Sequence, residues 1–152
     1  MKLGEALKLR SDNGKRIEEL KERAMASAQI QEGVAPPDDA NALLETIDRL
    51  AGETLTLVQR INRTNVATRL ASGQPLVDAL AERDYYLVTR KPFEAVAEAA
   101  SDAQHRYMRS EIRVVRTVDP VELRRKADEF ARRHRVLDVA IQEANWTTDL
   151  LE

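Results

Sequence analysis

Side chains able to do chemistry are scarce in this sequence, and none stands in a familiar catalytic pattern. There are two histidines, His105 and His134, and no cysteine, which excludes thiolate catalysis, disulfides and cysteine-ligated metals. No metal-ligand spacing surrounds either histidine. Adjacent carboxylates such as Asp38 and Asp39 stand where a helix cap is expected. We therefore expect a protein that is not an enzyme and has no cofactor and no metal.

A set of polar residues interrupts the apolar faces of the first two predicted helices. Folding the chain back about residues 32–39 places Asn13 near Leu57 at the open end of a helical hairpin. The cluster expected there consists of Arg10, Asn13, Asn62, Asn65 and Arg69. It is either a polar pocket or a structural layer that sets the register of the helices, as in coiled coils. We favour the structural layer, because specifying register is the best-attested use of such groups.

Residues 104–135 form a basic segment. They hold ten Lys and Arg against five Asp and Glu, a net charge of +5, whereas the whole chain carries −2. Such a segment can bind the phosphates of RNA or DNA, or it can pair with acidic helices of the same chain or another subunit. The candidate phosphate-binding residues are Arg113, Arg116, Arg124, Arg125 and Lys126. The acidic remainder of the chain favours pairing with the protein itself.

Apolar periodicity predicts the helices that position these residues. Charged residues make up 33% of the chain and aromatic residues 4%, a composition typical of long amphipathic helices. The clearest stripe runs from Leu43 to Ile61 at steps of three and four. We predict a single helical domain, 1–152. Its helices are expected at residues 3–31, 39–67, 75–91, 92–100 and 119–145.

Turn and cap residues set the boundaries of these helices. Gly33 is predicted to close the first helix, and Asp38 or Asp39 to cap the second. Pro92 should kink or end the third helix near residue 91, because proline lacks the N–H that the helix requires. The capping pattern at residues 119–122 predicts the start of the last helix.

Residues 110–118 are the one strand candidate, because β-branched residues recur there in partial alternation. A single strand cannot satisfy its own backbone, so it would pair with residues 104–108 or with another chain. The predicted fold is mainly α. It is an elongated antiparallel helical hairpin or bundle with coiled-coil-like packing and at most one short β segment, near residues 110–118.

The last helix carries a heptad seam of mostly apolar residues, spaced alternately by four and three from Leu123 to Ala144. An elongated monomer would leave this seam partly exposed, and exposed apolar patches usually mark interfaces. We therefore predict a homo-oligomer, a dimer or a multiple of a dimer. The predicted contact residues are Phe130, His134, Leu137, Ile141 and Trp146, with Trp146 also expected to anchor against a neighbouring helix.

Several motifs spread over nearly the whole chain carry a family resemblance. They are residues 1–7, the run Ile61-Asn62-Arg63-Thr64-Asn65, residues 78–84, Tyr107 with Ser110-Glu111-Ile112, and residues 141–150 with their Gln-Glu-Ala-Asn-Trp-Thr-Thr run. They resemble a family of small bacterial proteins often labelled septicolysin, or described as a domain of unknown function. The resemblance implies a mostly helical fold with no established activity or catalytic residues. Residues 90–93 depart from the family pattern, in which the third helix looks continuous.

The expected location is the cytoplasm, with no membrane partner. The N-terminus lacks the apolar core of a signal peptide, and no run approaches the roughly 18 apolar residues of a membrane span. The function predicted from the sequence is a non-enzymatic interaction or scaffold protein that self-associates. Nucleic-acid binding through residues 104–135 is the alternative, and a cytolysin, as the family label suggests, is the third reading.

Overall fold

Four α-helices lie in the residues that the structure describes. The structure, a computed structural model, describes residues 1–101 and 115–152, and its helices are α1 (Leu3–Ser27), α2 (Ala40–Ala67), α3 (Leu76–Ser101) and α4 (Pro120–Thr147). Within these residues the β structure is limited to two isolated bridges. The prediction of a mainly α helical fold is confirmed. Of the predicted strand, residues 110–114 lie outside the described residues, and residues 115–118 are irregular.

The contacts divide the chain into two compact units. Unit 1 contains residues 1–68 and 143–152, and unit 2 contains residues 69–142. Unit 1 is therefore the α1–α2 hairpin together with the end of α4 and the C-terminal tail, residues 148–152. Unit 2 contains α3 and most of α4.

The hairpin of unit 1 is held by small and aliphatic side chains. α1 and α2 pack against each other, and apolar burial between helices is the main source of such stability. The buried apolar residues of the two helices are Leu3, Ala6, Leu20, Ala24, Leu57 and Ile61. At the closed end, the hydroxyl of Ser27 accepts a hydrogen bond from the backbone N–H of Asp38 (3.2 Å).

Aspartates cap α2 and α4, as the sequence predicted. Asp39 Oδ1 accepts from the backbone N–H groups of Asn41 (2.9 Å) and Ala42 (3.2 Å). Asp119 Oδ1 accepts from the N–H of Val121 (2.9 Å). Each carboxylate satisfies N–H groups that the first turn of a helix leaves without a partner.

The loop between α1 and α2 begins earlier than predicted. Gly33, with a φ of +83°, belongs to a turn in which the N–H of Val34 donates to the carbonyl of Gln31 (3.0 Å). The prediction that Gly33 closes α1 is therefore wrong, because α1 has already ended at Ser27. The earlier end moves the centre of the loop towards α1.

α3 runs without a break through Pro92. The predicted division into helices at residues 75–91 and 92–100 is therefore wrong. A proline inside a helix removes one backbone hydrogen bond, while the residues on either side can keep theirs. Tyr86 before it and Ala97 after it are buried, so packing on both sides of Pro92 compensates for the lost bond.

Aromatic side chains of α3 and α4 form a cluster in unit 2. The ring centroid of Phe130 lies 5.4 Å from that of Phe93 and 6.2 Å from those of Tyr85 and Tyr86. These separations suit edge-to-face and stacked pairs, which contribute beyond the apolar area they bury. Four of the six aromatic residues of the chain thus lie where α4 meets α3.

The C-terminal tail closes unit 1. The N–H of Leu3 donates to the carbonyl of Thr148 (2.9 Å), which joins the start of α1 to the end of α4. Thr64 of α2 is fully buried. Its hydroxyl donates to the carbonyl of Arg60 (2.8 Å) and accepts from the N–H of Leu151 (2.9 Å). The tail is therefore fixed to both helices of the hairpin.

Candidate functional site

A pocket in unit 2 has the features of a binding site. Its volume is about 430 Å³, within the range common for sites that hold small molecules. The turn at residues 70–74, α3 and α4 supply its walls. The polar part of the lining consists of Ser72, Gln74, Glu82, Tyr86, Arg132 and Arg133.

The polar end of the pocket is a hydrogen-bonded network centred on Glu82. Its Oε1 accepts from the hydroxyl of Tyr86 (2.5 Å) and its Oε2 from the side-chain amide of Gln74 (2.8 Å). These two bonds, together with the positive charge of Arg133, lower the pKa of Glu82. The bond to Glu82 raises the pKa of Tyr86, although Arg133 opposes this shift. At neutral pH the network therefore contains a carboxylate and an uncharged phenol.

Two adjacent arginines of α4 border this network. Arg133 donates to Glu129 (2.5 Å), and the neighbouring Tyr86 hydroxyl and Glu129 carboxylate raise the pKa of its guanidinium. Arg132 is exposed and lines the pocket. Among the described residues it has no hydrogen-bond or ion-pair partner. Its guanidinium donors are thus available to a bound molecule.

The remaining lining of the pocket is apolar. It consists of Leu70, Val136, Leu137 and Ala140. Leu70 is buried, whereas Val136 is 69% exposed. The pocket therefore combines a charged, hydrogen-bonding end with apolar surface that water contacts.

The polar cluster predicted at the open end of the hairpin depends on how α1 and α2 are aligned. The two helices pair in a different register from the predicted one. The side-chain amide of Asn13 donates to the hydroxyl of Thr54 (3.0 Å), about one helical turn from the predicted neighbour Leu57. The difference follows from the loop, whose centre lies closer to α1 than expected. Asn13 is half-buried, so its partner satisfies a polar group inside the hairpin.

The other residues of the predicted cluster are not joined to Asn13. Arg10 and Asn62 are exposed and Asn65 is half-buried. In the described part of unit 1, no hydrogen bond links any two of these four side chains. Arg69 belongs to unit 2, where it donates to the carbonyl of Gly73 in its own turn (3.0 Å). The buried polar residue of the motif at residues 61–65 is Thr64, which the sequence analysis did not select.

Three of the five candidate phosphate-binding residues contact other residues of the chain. Arg113 lies outside the described residues, and Arg116 is exposed. The contacts are those of Arg124 with the hydroxyl of Ser101 (2.9 Å), Arg125 with the carboxylate of Glu122 (2.9 Å), and Lys126 with the ring of Phe93 (5.9 Å to its centroid). The contacts of Arg124 and Lys126 link α4 to α3.

The residues predicted to form the oligomer contact range from buried to exposed. Ile141 is buried, and His134, Leu137 and Phe130, which belongs to the aromatic cluster, are half-buried. The heptad seam of α4 therefore packs largely within the chain, and Ile141 has almost no surface left for a contact between subunits. Trp146 packs against the first turn of α1, which confirms the prediction that it anchors against a neighbouring helix.

α2 leaves a line of large apolar side chains exposed. Leu44, Leu55 and Val66 are 55%, 60% and 71% exposed and recur at intervals of eleven residues. Eleven residues make about three turns of an α-helix, so the three side chains lie along one side of α2. Ile61 and Thr64, which are buried, lie on another side of the same helix.

Two classes of site are absent from the described ranges, 1–101 and 115–152. None of the helices there combines the length and the apolar character that a membrane span needs. In the same ranges, no group of three or more His, Asp and Glu side chains is arranged to hold a metal ion.

Comparison with known proteins places the chain in a family without giving it an activity. Residues 10–150 match a family described as a family of unknown function, DUF6847. The crystal structure of a functionally unknown conserved protein from Corynebacterium diphtheriae is similar, with a TM-score of 0.92, 40% sequence identity and 99% of each chain covered. No curated protein matches the chain at a significant level. The expected relationship to a helical family of unknown function is confirmed, and neither description contains the septicolysin label.

Proposed function

The chain belongs to the family of unknown function DUF6847, and we propose that it is a non-enzymatic interaction protein that self-associates through α2. The observation that carries the proposal is the exposed line of Leu44, Leu55 and Val66. Single exposed apolar residues are normal on soluble proteins. These three stand about 16 Å apart along α2, and it is their alignment on one face at equal intervals that carries the proposal.

The spacing of this line favours a second copy of the chain as the partner. Leu44 and Val66 are equally distant in sequence from Leu55. A two-fold axis at Leu55 therefore sets Leu44 of one copy against Val66 of the other and Leu55 against itself, the isologous arrangement usual in homodimers. The same antiparallel pairing sets Asp48 opposite Asn62, both exposed. A carboxylate then faces an amide donor instead of a like charge.

Single cysteines test this arrangement directly, because the native chain contains none. Leu55→Cys is expected to form an interchain disulfide under mild oxidation, since the two thiols meet at the axis. A mixture of the Leu44→Cys and Val66→Cys variants is expected to cross-link more than either variant alone. Met25→Cys is the matched control, because Met25 of α1 is 63% exposed and Leu55 60%. It should remain uncross-linked on a non-reducing gel.

Light scattering tests the oligomer itself. The chain has a mass of 17.2 kDa, and the native protein is expected to give about twice that value. Leu55→Asp should reduce the measured mass to that of the monomer, because two carboxylates would meet in an apolar contact. Met25→Asp should leave the dimer intact. A native mass of 17.2 kDa at high protein concentration, or a dimer that survives Leu55→Asp, would contradict the proposal.

Nucleic-acid binding through residues 104–135 is the second proposal, and the net charge of +5 supports it. The contacts of Arg124, Arg125 and Lys126 inside the chain make it the weaker of the two. If the segment binds phosphates, affinity for mixed-sequence RNA or DNA should fall steeply between low and physiological salt. Replacing the three residues by Gln should flatten that slope. A protein that binds neither RNA nor DNA at low salt would remove this proposal.

A cytolytic activity, which the septicolysin label implies, has no support in the family description or in that of the Corynebacterium diphtheriae structure. We do not propose it. Release of a trapped dye from liposomes by the purified protein is the measurement that would reopen it.

A further inference from the structure

We infer that the pocket of unit 2 binds a small organic anion with an apolar body, and that Arg132 holds the anionic head group. None of the residues that line the pocket belongs to α2. The site is therefore independent of the proposed self-association, and neither result decides the other.

The charges of the lining favour an anion. Both oxygens of Glu82 already accept hydrogen bonds within the network. Arg132 and Arg133 place two positive charges beside this single negative charge, and the carboxylate of Glu129, outside the lining, is bonded to Arg133. Arg133 is engaged with Glu129, whereas Arg132 has no partner in the described part of the chain. A guanidinium with available donors binds a carboxylate or phosphate through two parallel hydrogen bonds.

The apolar lining specifies the rest of the ligand. Leu70, Val136, Leu137 and Ala140 give the pocket an apolar wall. Val136 is 69% exposed, and a ligand that covers it removes apolar surface from water. A pocket of about 430 Å³ accommodates a head group and an apolar body of roughly eight carbon atoms.

A series of probes with unbranched chains of eight carbon atoms separates the contributions of charge and burial. Octanoate, octyl phosphate, octanol and octylamine differ in the head group, and the carboxyl carbon of octanoate is one of its eight. Each would be titrated into ¹⁵N-labelled protein and followed by the NMR shifts of backbone amides. We expect the two anions to bind most tightly and to shift amides of the pocket, with octanol weaker and octylamine weakest. Tighter binding of octanoate than of octyl phosphate would identify a carboxylate ligand, and the reverse a phosphate.

Arg132→Gln tests the head-group contact. It is expected to weaken the binding of octanoate about tenfold or more, because a hydrogen bond to a charged group is lost, and to leave octanol unchanged. Arg125→Gln is the control. Arg125 belongs to the same helix and is paired with Glu122, but it does not line the pocket. Both arginines are exposed, so neither change should affect folding, which circular dichroism would verify.

Two valines of α4 test the apolar contact. Val136 and Val139 are 69% and 68% exposed, and only Val136 lines the pocket. Val136→Asn is expected to weaken the binding of octanoate and of octanol alike, by about fivefold. Val139→Asn should leave the affinity for both probes unchanged. Equal binding of octylamine and octanoate, equal effects of the two valine variants, or no binding of either anion at millimolar concentration would overturn the inference.

Discussion

Gly4 lies directly against the indole ring of Trp146. A Cβ atom at position 4 would stand 2.9 Å from Cδ2 of the ring and 3.0 Å from Cε3. Carbon atoms do not approach so closely without strain, so the contact requires glycine. Gly4 is buried in the first turn of α1 and Trp146 lies in the last turn of α4. The pair therefore joins the beginning of the chain to its C-terminal end.

Gly4→Ala is expected to displace the indole and to lower stability by about 1–3 kcal/mol, the usual cost of overpacking. Trp146 is the one tryptophan of the chain, so its fluorescence reports the displacement, with emission expected at longer wavelength. Gly14→Ala is the control, because a Cβ there meets nothing within 4 Å. Alanine favours the helix by roughly 1 kcal/mol over glycine, so this variant should gain stability and keep its emission. A Gly4→Ala protein with native emission and stability would refute the packing argument.

Thr64→Val is expected to loosen the C-terminal tail. The substitution keeps the shape of the side chain and removes the acceptor of the Leu151 N–H, at a cost of about 1–3 kcal/mol. Thr56→Val is the matched control, since within the described ranges the exposed hydroxyl of Thr56 bonds only to the carbonyl of Gly52 in the preceding turn. Denaturant unfolding and hydrogen exchange at Leu151 measure the effect. Equal behaviour of the two variants would show that the tail does not depend on Thr64.

Pro92→Ala is expected to stabilise the protein. Pro92 is exposed within a continuous helix, and alanine restores the missing N–H, for a gain of up to about 3 kcal/mol. Lys91→Ala, at the exposed neighbouring position, should change the free energy of unfolding little and serves as the control. Denaturant unfolding provides the measurement. A loss of stability in Pro92→Ala would mean that the proline ring makes a packing contribution larger than its backbone cost.

Local signals along the chain predicted the fold best. The caps at Asp39 and Asp119 follow from the sequence, because capping depends on residues a few positions away. The break predicted at Pro92 does not occur, since the packing of α3 on both sides of it outweighs one lost hydrogen bond. The neighbour of Asn13 was missed because the register depends on where the loop is centred, and helix ends are the least certain feature of a sequence reading.

The pocket could not be predicted in the same way. Its two sides come from residues 70–86 and 132–140, which meet only through packing of α3 and its preceding turn against α4. The available signal was the pair Glu82 and Tyr86, which are four residues apart and therefore on one face of α3. That spacing indicates a hydrogen bond, but nothing in it points to Arg132. The charged residues and the apolar wall of the pocket are brought together only when the chain folds.

The hydrogen bond from Tyr86 to Glu82 should set the alkaline titration of the protein. It raises the pKa of Tyr86, against the opposing effect of Arg133. Because this pKa is raised in the folded state, the bond contributes its full stability at pH values below the unfolded-state pKa, near 10. That stability is lost as the pH rises through the folded-state pKa. Glu82→Gln removes the charged acceptor, so Tyr86 should ionise at lower pH and this alkaline loss of stability should shrink.

Absorbance of the phenolate between pH 9 and 12 follows this titration, over a range set by the ordinary tyrosine value of about 10. Tyr86→Phe identifies the contribution of this side chain, because the last part of the tyrosine titration should disappear in that variant. Glu94→Gln is the matched control, since Glu94 belongs to the same helix and pairs with Arg90 instead. If Glu82→Gln and Glu94→Gln gave the same titration curve, the bond to Glu82 would not be what holds the Tyr86 proton.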